Sequence, residues 1–189
     1  MTSSGYDVRQ SKERFHGAVF SLVTDEVVMP DGSSAERDYI RHGGAVAIVA
    51  LDDQEQIMLV RQYRHAVREV LWELPAGLLD VPGEDPIAAA ARELAEEAGV
   101  TAGRWEPLLA IYTTPGYSNE QLRLYLARDL TPVDAEFAFH RQFEEVDLTA
   151  HRIPLVDAVD MVYRGEITNG PSALGVLAAW DRLRTGSGT

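Results

Sequence analysis

Three glutamates, Glu93, Glu96 and Glu97, lie within five positions of the segment RELAEEAGV. Residues three and four positions apart lie on one face of a helix, so this spacing predicts that the three carboxylates point the same way. Like charges at such spacings cost about 0.2–0.5 kcal/mol per pair. A divalent cation would reverse that sign, and Mg²⁺ prefers carboxylate, water and phosphate oxygens. The segment therefore predicts a metal site, with a solvated acidic face as the plainer alternative.

The helix that carries these glutamates has clear ends in the sequence. Asp85 is a residue type that caps helices, and Pro86 follows at the first helical position, where a missing N–H costs nothing. Gly99 suits the left-handed conformation that ends a helix. Between these ends, apolar residues recur at spacings of three and four and predict a buried face of Ile87, Ala90, Ala91, Leu94 and Ala98.

Apolar segments separated by turn residues flank this helix. PDGSS predicts a turn between two antiparallel strands, and DDQEQ predicts a turn between two buried strands. Further strands are expected in VLWELPAG, EPLLAIYTTPGYS and EQLRLYLARDL, and helices in LVDAVDMVYRGEI and PSALGVLAAWDRLR. The polar stretch before about Arg14 is expected to be frayed. This mixed order predicts an α/β or α+β fold with a sheet between helices.

The length and charge of the chain limit the classes of function. Its 189 residues suffice for one sizeable domain. The 30 acidic and 17 basic residues give a formal net charge of −13, which opposes binding to nucleic acids and anionic membranes. No apolar run approaches the roughly 20 residues that span a bilayer, and the absence of cysteine excludes disulfides and thiolate metal sites. We expect a cytoplasmic protein with no nucleic-acid or membrane partner.

Nine residues in and around the acidic helix match the signature of one enzyme family. The segment resembles the motif of the Nudix hydrolases, which is a glycine, five residues, a glutamate, seven residues and then Arg-Glu-apolar-x-Glu-Glu-x-Gly-apolar. The matching residues are Gly77, Glu84, Arg92, Glu93, Leu94, Glu96, Glu97, Gly99 and Val100. Six residues rather than five separate Gly77 from Glu84, so one extra residue lies in the loop before the helix. The spacing within the helix is unchanged.

The resemblance implies a Nudix fold, in which a mixed sheet lies between helices, and hydrolysis of a nucleoside diphosphate linked to another group. It implies that Mg²⁺, or Mn²⁺ as the alternative, is bound by three carboxylates and one backbone carbonyl, those of Glu93, Glu96, Glu97 and Ala76. It also implies that Arg92 acts in catalysis, paired with Glu84 so that the helix is oriented.

Two segments beside the motif narrow the resemblance to the ADP-ribose pyrophosphatase branch, in the actinobacterial form that the six-residue spacing also resembles. WELPAG precedes the motif and PGYSNE follows it, and Pro115 lies 15 residues after Val100, close to a proline of that branch. TPGYS alone would be an ordinary turn between strands. The resemblance implies substrate contacts from Glu73, Pro115 and Glu120. The alternative for Glu73 is a surface charge at a strand end.

The segment RQYRHAVRE, residues 61–69, places three arginines after a buried strand. Arginine binds phosphate oxygens through paired N–H groups. Arg64, together with Arg61, is therefore expected to attract an anionic substrate that the net charge of −13 would otherwise repel. The alternative is a solvated loop.

The reaction also needs a base that activates water, and the resemblance implies that an acidic loop downstream of the motif supplies it. HRQFEEVDL is the dense acidic run in that part of the sequence, with Glu144, Glu145 and Asp147. A carboxylate with a pKa near or above its ordinary value can accept a proton from water. Glu144 is the first candidate and Glu145 the second, with a plain acidic loop as the alternative.

The leading hypothesis is Mg²⁺-dependent hydrolysis of ADP-ribose to AMP and ribose 5-phosphate. A GDP-sugar or another nucleotide sugar is the alternative substrate, because the motif determines the reaction and the surrounding loops select the base. A non-catalytic nucleotide sensor is the alternative of a different class, although the intact motif argues against it. We expect residues 1–45 to form a strand region that joins two subunits, and residues 46–185 to form the Nudix domain.

Overall fold

The computed structural model describes residues 5–133 and 148–185. These residues form two compact units. The first contains the chain up to Gly44 together with Tyr112–Gln121, and the second contains Ala45–Ile111 and the chain from Leu122 onward. Within the described ranges, no helix is long and apolar enough to cross a membrane.

The first unit is built on an antiparallel sheet of β1 (Asp7–His16), β2 (Phe20–Val28) and β3 (Ser34–His42), in that order. The turn between β2 and β3 lies at the PDGSS sequence. Gly32 has φ = 82° there, and the Asp31 side chain accepts a backbone N–H from two residues later at 2.9 Å. The predicted strand pair is therefore confirmed.

Strand β1 corrects the expectation that the chain is frayed before about Arg14. All ten of its residues are exposed, so burial does not hold it in place. It is held by its pairing with β2 and by polar contacts, in which Arg9 donates to Ser34 Oγ at 2.8 Å and lies 3.7 Å from Glu26. Such a strand lacks the buried apolar alternation that identifies strands in a sequence, which explains the wrong prediction.

The remaining strands of the described residues form two sheets and are β4 (Ala45–Ala50), β5 (Gln56–Arg64), β6 (Glu69–Glu73), β7 (Ala76–Leu78), β8 (Val100–Tyr112), β9 (Gln121–Pro132) and β10 (Thr149–Pro154). The strand orders are β7-β4-β9-β8 and β10-β5-β6, and β4 runs parallel to β9. The helices of the described residues are α1 (Pro86–Ala98), α2 (Leu155–Tyr163) and α3 (Gly170–Thr185). The strands and helices predicted for this region are present, and β7 and β10 are additional strands.

Strand β4 lies at the centre of the second unit, with all six residues buried. Its side chains alternate between two hydrophobic clusters. Val46 and Ile48 belong to the cluster that contains Leu94 of α1, whereas Val49 belongs to the cluster that contains Val176 of α3. The mixed sheet therefore lies between helices, which confirms the predicted fold class.

Helix α1 has the predicted ends. The Asp85 side chain accepts the N–H of Ile87 at 2.8 Å, and Gly99, with φ = 66°, donates its N–H to the carbonyl of Ala95 at 3.1 Å. The buried face differs from the prediction, because Ile87 is 36% exposed whereas Glu97 is only 7% exposed. One of the three glutamates therefore faces protein rather than solvent.

Candidate active site

Helix α1 packs against β7 through its glutamates. Gly77 lies in the middle of β7, and a Cβ atom there would overlap Cγ and Cδ of Glu93. Glycine is needed at this position because the Glu93 side chain occupies the space that a side chain at residue 77 would take. On its other side, β7 is paired with β4 through Gly77 and Val46.

Glu97 is held by the same strand. Its Oε2 accepts the backbone N–H of Ala76 at 2.9 Å, and the residue is buried. This hydrogen bond offsets part of the cost of burying a carboxylate. It also explains why Glu97 belongs to the buried face of α1.

Arg92 connects the other acidic side chains of the motif. Its Nη1 lies 2.7 Å from Glu93 Oε1 and 3.4 Å from Glu96 Oε2. Its Nε and Nη2 donate to the two carboxylate oxygens of Glu84, each at 3.3 Å. The hydrogen bonds to Glu84 and the charge of Glu93 raise the pKa of Arg92 above its ordinary value, so the guanidinium stays protonated at any working pH. The expected pair of Arg92 and Glu84 is present.

The acidic side chains around α1 have the chemistry of a Mg²⁺ site, while their positions are set by protein contacts. Within residues 5–133 and 148–185, no three His, Asp or Glu side chains converge closely enough to hold an ion. Arg92 contacts both Glu93 and Glu96, and Glu97 accepts a backbone N–H. The residues nevertheless fit a metal, because they supply hard carboxylate oxygens and because the missing side chain of Gly77 gives Glu93 room above β7.

A polar cavity of about 290 Å³ lies beside α1 and β7. Its lining residues are Gln62, Arg64, Ala76, Gly77, Leu78, Asp80, Arg92, Glu93 and Glu97. Gln62 and Asp80 were not among the residues predicted from the sequence. Gln62 could have been found from the alternation of side chains along a strand, because it lies two positions from Arg64. Asp80 lies in the loop after β7, where no periodicity applies.

Arg64 and Glu73 form a bidentate ion pair at this cavity. Arg64 Nε donates to Glu73 Oε1 at 2.9 Å, and Nη2 donates to Oε2 at 2.6 Å. Glu73 is only 3% exposed, whereas the Arg64 side chain is 44% exposed. Glu73 is therefore not a surface charge at a strand end, and both of its oxygens face Arg64 rather than the cavity.

Arg61 lies on the opposite face of β5 from Arg64, because the two are an odd number of positions apart. Its guanidinium carbon lies 5.2 Å from the ring centre of Trp72, its partner in the pairing of β5 with β6. The same tryptophan contacts His151, with ring centres 5.0 Å apart. Arg61 and Arg64 therefore do not point to the same side of β5, and a role of Arg61 in substrate binding stays a prediction.

Pro115 and Glu120 belong to the first unit. Two backbone hydrogen bonds of 2.9 and 3.1 Å to the carbonyl of Thr114 close the turn at Pro115. The Glu120 carboxylate accepts the hydroxyl of Thr113 and lies 3.8 Å from His42 Nδ1 at the end of β3. TPGYS therefore forms a turn, and Glu120 is held beside that turn and β3.

The candidate bases Glu144 and Glu145, and the nearby Asp147, lie outside the described residues. In the sequence they stand between the end of β9 and the start of β10. Their assignment stays a prediction.

Comparison with known proteins gives the family. Residues 41–163 match the family model of the NUDIX domain. The chain is similar to the ADP-ribose pyrophosphatase of Mycobacterium tuberculosis, with 49% identity over 169 residues that cover 89% of this chain and 80% of that protein. It is also similar to the ADP-ribose pyrophosphatase of Bacillus subtilis, with 32% identity over 163 residues that cover 86% and 85%. The crystal structure of an ADP compounds hydrolase superposes with a TM-score of 0.79 over 97% of this chain and 96% of that chain, at 23% identity, and shows the same fold. The chain therefore belongs to the Nudix family of hydrolases.

Proposed function

We propose that this protein hydrolyses the pyrophosphate bond of ADP-ribose to give AMP and ribose 5-phosphate, with Mg²⁺ as cofactor and Mn²⁺ as the alternative metal. The observation that carries the proposal is the 49% identity, over 89% of the chain, with a protein named ADP-ribose pyrophosphatase. The polar cavity supports it, because arginine and glutamate side chains line that cavity together. Such a lining suits a polyanion bound with a divalent cation.

In this proposal, the carboxylates of Glu93, Glu96 and Glu97 and the carbonyl oxygen of Ala76 would hold the metal. When bound, Mg²⁺ lowers the pKa of water and neutralises charge on the pyrophosphate. Arg92 keeps Glu93 and Glu96 close together despite their like charge, because its guanidinium contacts both. The backbone N–H of Ala76 holds the Glu97 carboxylate in place through a hydrogen bond.

Arg64 binds the diphosphate in this proposal. A guanidinium has enough N–H donors to hold a carboxylate and a phosphate together. Glu73 is buried and bound at both oxygens, so it acts on the position of Arg64 rather than on the substrate. This role replaces the direct substrate contact that the resemblance implies for Glu73.

Glu144 is the proposed base and Glu145 the second candidate. A carboxylate that holds metal is poorly placed to take a proton from water that it helps to position, so a separate acidic side chain suits this task. Pro115 and Glu120 remain proposed substrate contacts. A cytoplasmic location, inferred from the absence of cysteine, is part of the same proposal.

We also propose that residues 1–45 join two subunits and that residues 46–185 form the catalytic domain. The proposal is supported by large apolar side chains of the first unit that are exposed, namely Tyr6, Val8, Phe15, Val19, Phe20 and Leu22. Exposed apolar surface of this kind often marks a site of association.

A panel of nucleotide sugars tests the substrate. ADP-ribose, ADP-glucose and GDP-mannose are each incubated with Mg²⁺ or Mn²⁺, and the nucleotide products are separated by chromatography. We expect AMP from ADP-ribose, with activity lost on chelation of the metal. Preferred release of GMP from GDP-mannose would indicate the GDP-sugar alternative. Binding of ADP-ribose without turnover of any compound would indicate the sensor.

Two variants of the acidic helix test the metal assignment. Glu93→Gln and Glu97→Gln preserve side-chain volume, and each is expected to lower kcat by at least about a hundredfold while the circular dichroism spectrum is unchanged. Glu106→Gln is the control, because Glu106 is a partly exposed glutamate of β8 that contacts Arg182. Near-native activity of either helix variant would contradict the assignment.

A further inference from the structure

Gln62 is a largely buried residue in the wall of the polar cavity. The residue is 8% exposed and lines the cavity together with Arg64, Arg92 and Glu93. Among the described residues, no hydrogen bond joins its side chain to another protein group. Among the described residues, the Gln62 amide is not one of the fully buried polar atoms that lack a partner. It therefore keeps contact with the solvent of the cavity, and a ligand that enters the cavity can take the place of that solvent as its partner.

Strand pairing explains why the described residues supply no hydrogen-bond partner to the Gln62 side chain. The residue opposite Gln62 in the pairing of β5 with β6 is Leu71, whose side chain has no donor or acceptor. Glu73 projects from the same face of the pair, but both of its oxygens are bound by Arg64. The amide therefore has the cavity as its polar surroundings.

The position of Gln62 relates it directly to the arginine that is proposed to bind the diphosphate. Gln62 and Arg64 are two positions apart, so their side chains leave β5 on the same face at a spacing of roughly 6.6 Å along the strand. Neighbouring groups of a single diphosphate-containing ligand can reach both. A carboxamide offers two N–H donors without a charge of its own, and beside Arg64 these donors favour an oxyanion.

We propose that the Gln62 carboxamide is a substrate-binding group that donates an N–H to a diphosphate oxygen, next to Arg64. The proposal rests on the proposed function, because that diphosphate belongs to ADP-ribose. A hydroxyl of the distal ribose is the competing hydrogen-bond partner, and the experiment separates the two.

Two substitutions at residue 62 and one control carry the test. Gln62→Met keeps the volume and removes the hydrogen bond, so kcat/KM for ADP-ribose should fall by about ten- to a hundredfold. Gln62→Glu should be worse, because a carboxylate would then face the diphosphate. Gln56→Met is the matched control, since Gln56 is a partly buried glutamine at the start of β5, outside the cavity lining, and its kinetics should equal those of the wild type.

Thermal unfolding distinguishes binding from a structural role. Because the amide makes no hydrogen bond to the described residues, its replacement by an apolar side chain of similar size should leave the melting temperature of Gln62→Met unchanged or raise it. A lower melting temperature with wild-type kcat/KM would mean that the amide serves the fold, and it would overturn the proposal.

Inhibition by ADP, which lacks the distal ribose, identifies the bound group. A contact to the diphosphate predicts that the inhibition constant of ADP rises by at least about tenfold in Gln62→Met. If the inhibition constant of ADP is unchanged while hydrolysis of ADP-ribose is slower, Gln62 contacts the distal ribose instead. That result would overturn the assignment to the diphosphate. If the wild type does not hydrolyse ADP-ribose, the proposed function fails separately, and calorimetric binding of ADP to wild type and Gln62→Met then decides the role of Gln62.

Discussion

The carboxylate of Glu73 is bound on both oxygens by Arg64, at 2.9 and 2.6 Å, and is almost fully buried. A buried carboxylate is stable only with a paired charge or strong hydrogen bonds, so the two residues depend on each other. Arg64 has a long side chain with many rotamers, and two fixed nitrogens leave it few of them. Glu73 therefore determines where the Arg64 guanidinium lies in the cavity.

Glu73→Gln tests this dependence at the residue scale. Glutamine keeps the volume but removes the charge, so we expect kcat/KM for ADP-ribose to fall by about ten- to a hundredfold, mainly through a higher KM. The control is Glu166→Gln, because Glu166 accepts a bond from Arg164 at 2.7 Å in an exposed pair. That change should leave the activity and the melting temperature close to those of the wild type, because an exposed ion pair contributes little to stability. If Glu73→Gln and the wild type have the same steady-state kinetics, Glu73 is not needed to position Arg64.

The identity of the general base can also be tested with substitutions of single residues. Glu144→Gln should lower kcat by at least about a hundredfold with a much smaller effect on KM, because a base acts in the transition state rather than in binding. Affinity for Mg²⁺, measured by titration, should hardly change, and Glu145→Gln should be milder. If Glu144→Gln is active while Glu145→Gln or Asp147→Asn is inactive, the inactive variant would identify the base. Activity in all three variants would place the base elsewhere.

At the scale of elements, α1 and β7 fit together because β7 lacks a side chain where α1 carries a long one. A Cβ atom at residue 77 would overlap Glu93. Strand β7 cannot retreat easily, since it pairs with β4, whose residues are all buried. The Glu93 side chain must move instead, and with it a carboxylate that is proposed to hold the metal.

Gly77→Ala should therefore lower kcat by about a hundredfold, the size of effect that a displacement of about 1 Å can have, and should weaken Mg²⁺ binding. Glu93→Ala removes the atoms that the new Cβ would overlap, so Gly77→Ala should cost less activity in the Glu93→Ala background than in the wild type. A double-mutant cycle in kcat measures this coupling. Gly170→Ala is the control, since a Cβ there meets no atom within 4 Å. Purely additive losses in the cycle would rule out the overlap as the cause.

At the scale of the whole molecule, the first unit provides the surface for the proposed association of two subunits. Phe15 and Phe20 are 56% and 42% exposed, with ring centres 6.4 Å apart. We expect light scattering at micromolar concentration to give about twice the 20.9 kDa mass of one chain. The double variant Phe15→Glu and Phe20→Glu should shift this mass towards a single chain, because charges at an apolar contact are costly to bury.

Val156→Glu is the control for that experiment, because Val156 is a 49% exposed apolar residue of α2 in the second unit. Its mass should equal that of the wild type. A single-chain mass for the wild type would rule out the dimer. A dimer that survives both phenylalanine substitutions would place the interface elsewhere.

The features that depend on neighbours along the chain could be predicted from the sequence. Asp85, Pro86 and Gly99 define the ends of α1 because capping and helix termination involve residues only a few positions apart. The spacing of Glu93, Glu96 and Glu97 carried the family resemblance for the same reason. The PDGSS turn and its strands were equally predictable, since turn chemistry is local.

The contacts of the cavity side chains could not be predicted in this way, because they depend on how distant elements pack together. The partner of Glu97 is Ala76, 21 residues away, and the partner of Glu73 depends on how β5 pairs with β6. The same pairing separates Arg61, which lies on Trp72, from Gln62 at the cavity. The polar strand β1 exists through its ladder to β2 rather than through an apolar pattern. In each case the deciding contact joins elements that are distant in sequence, so local composition does not specify it.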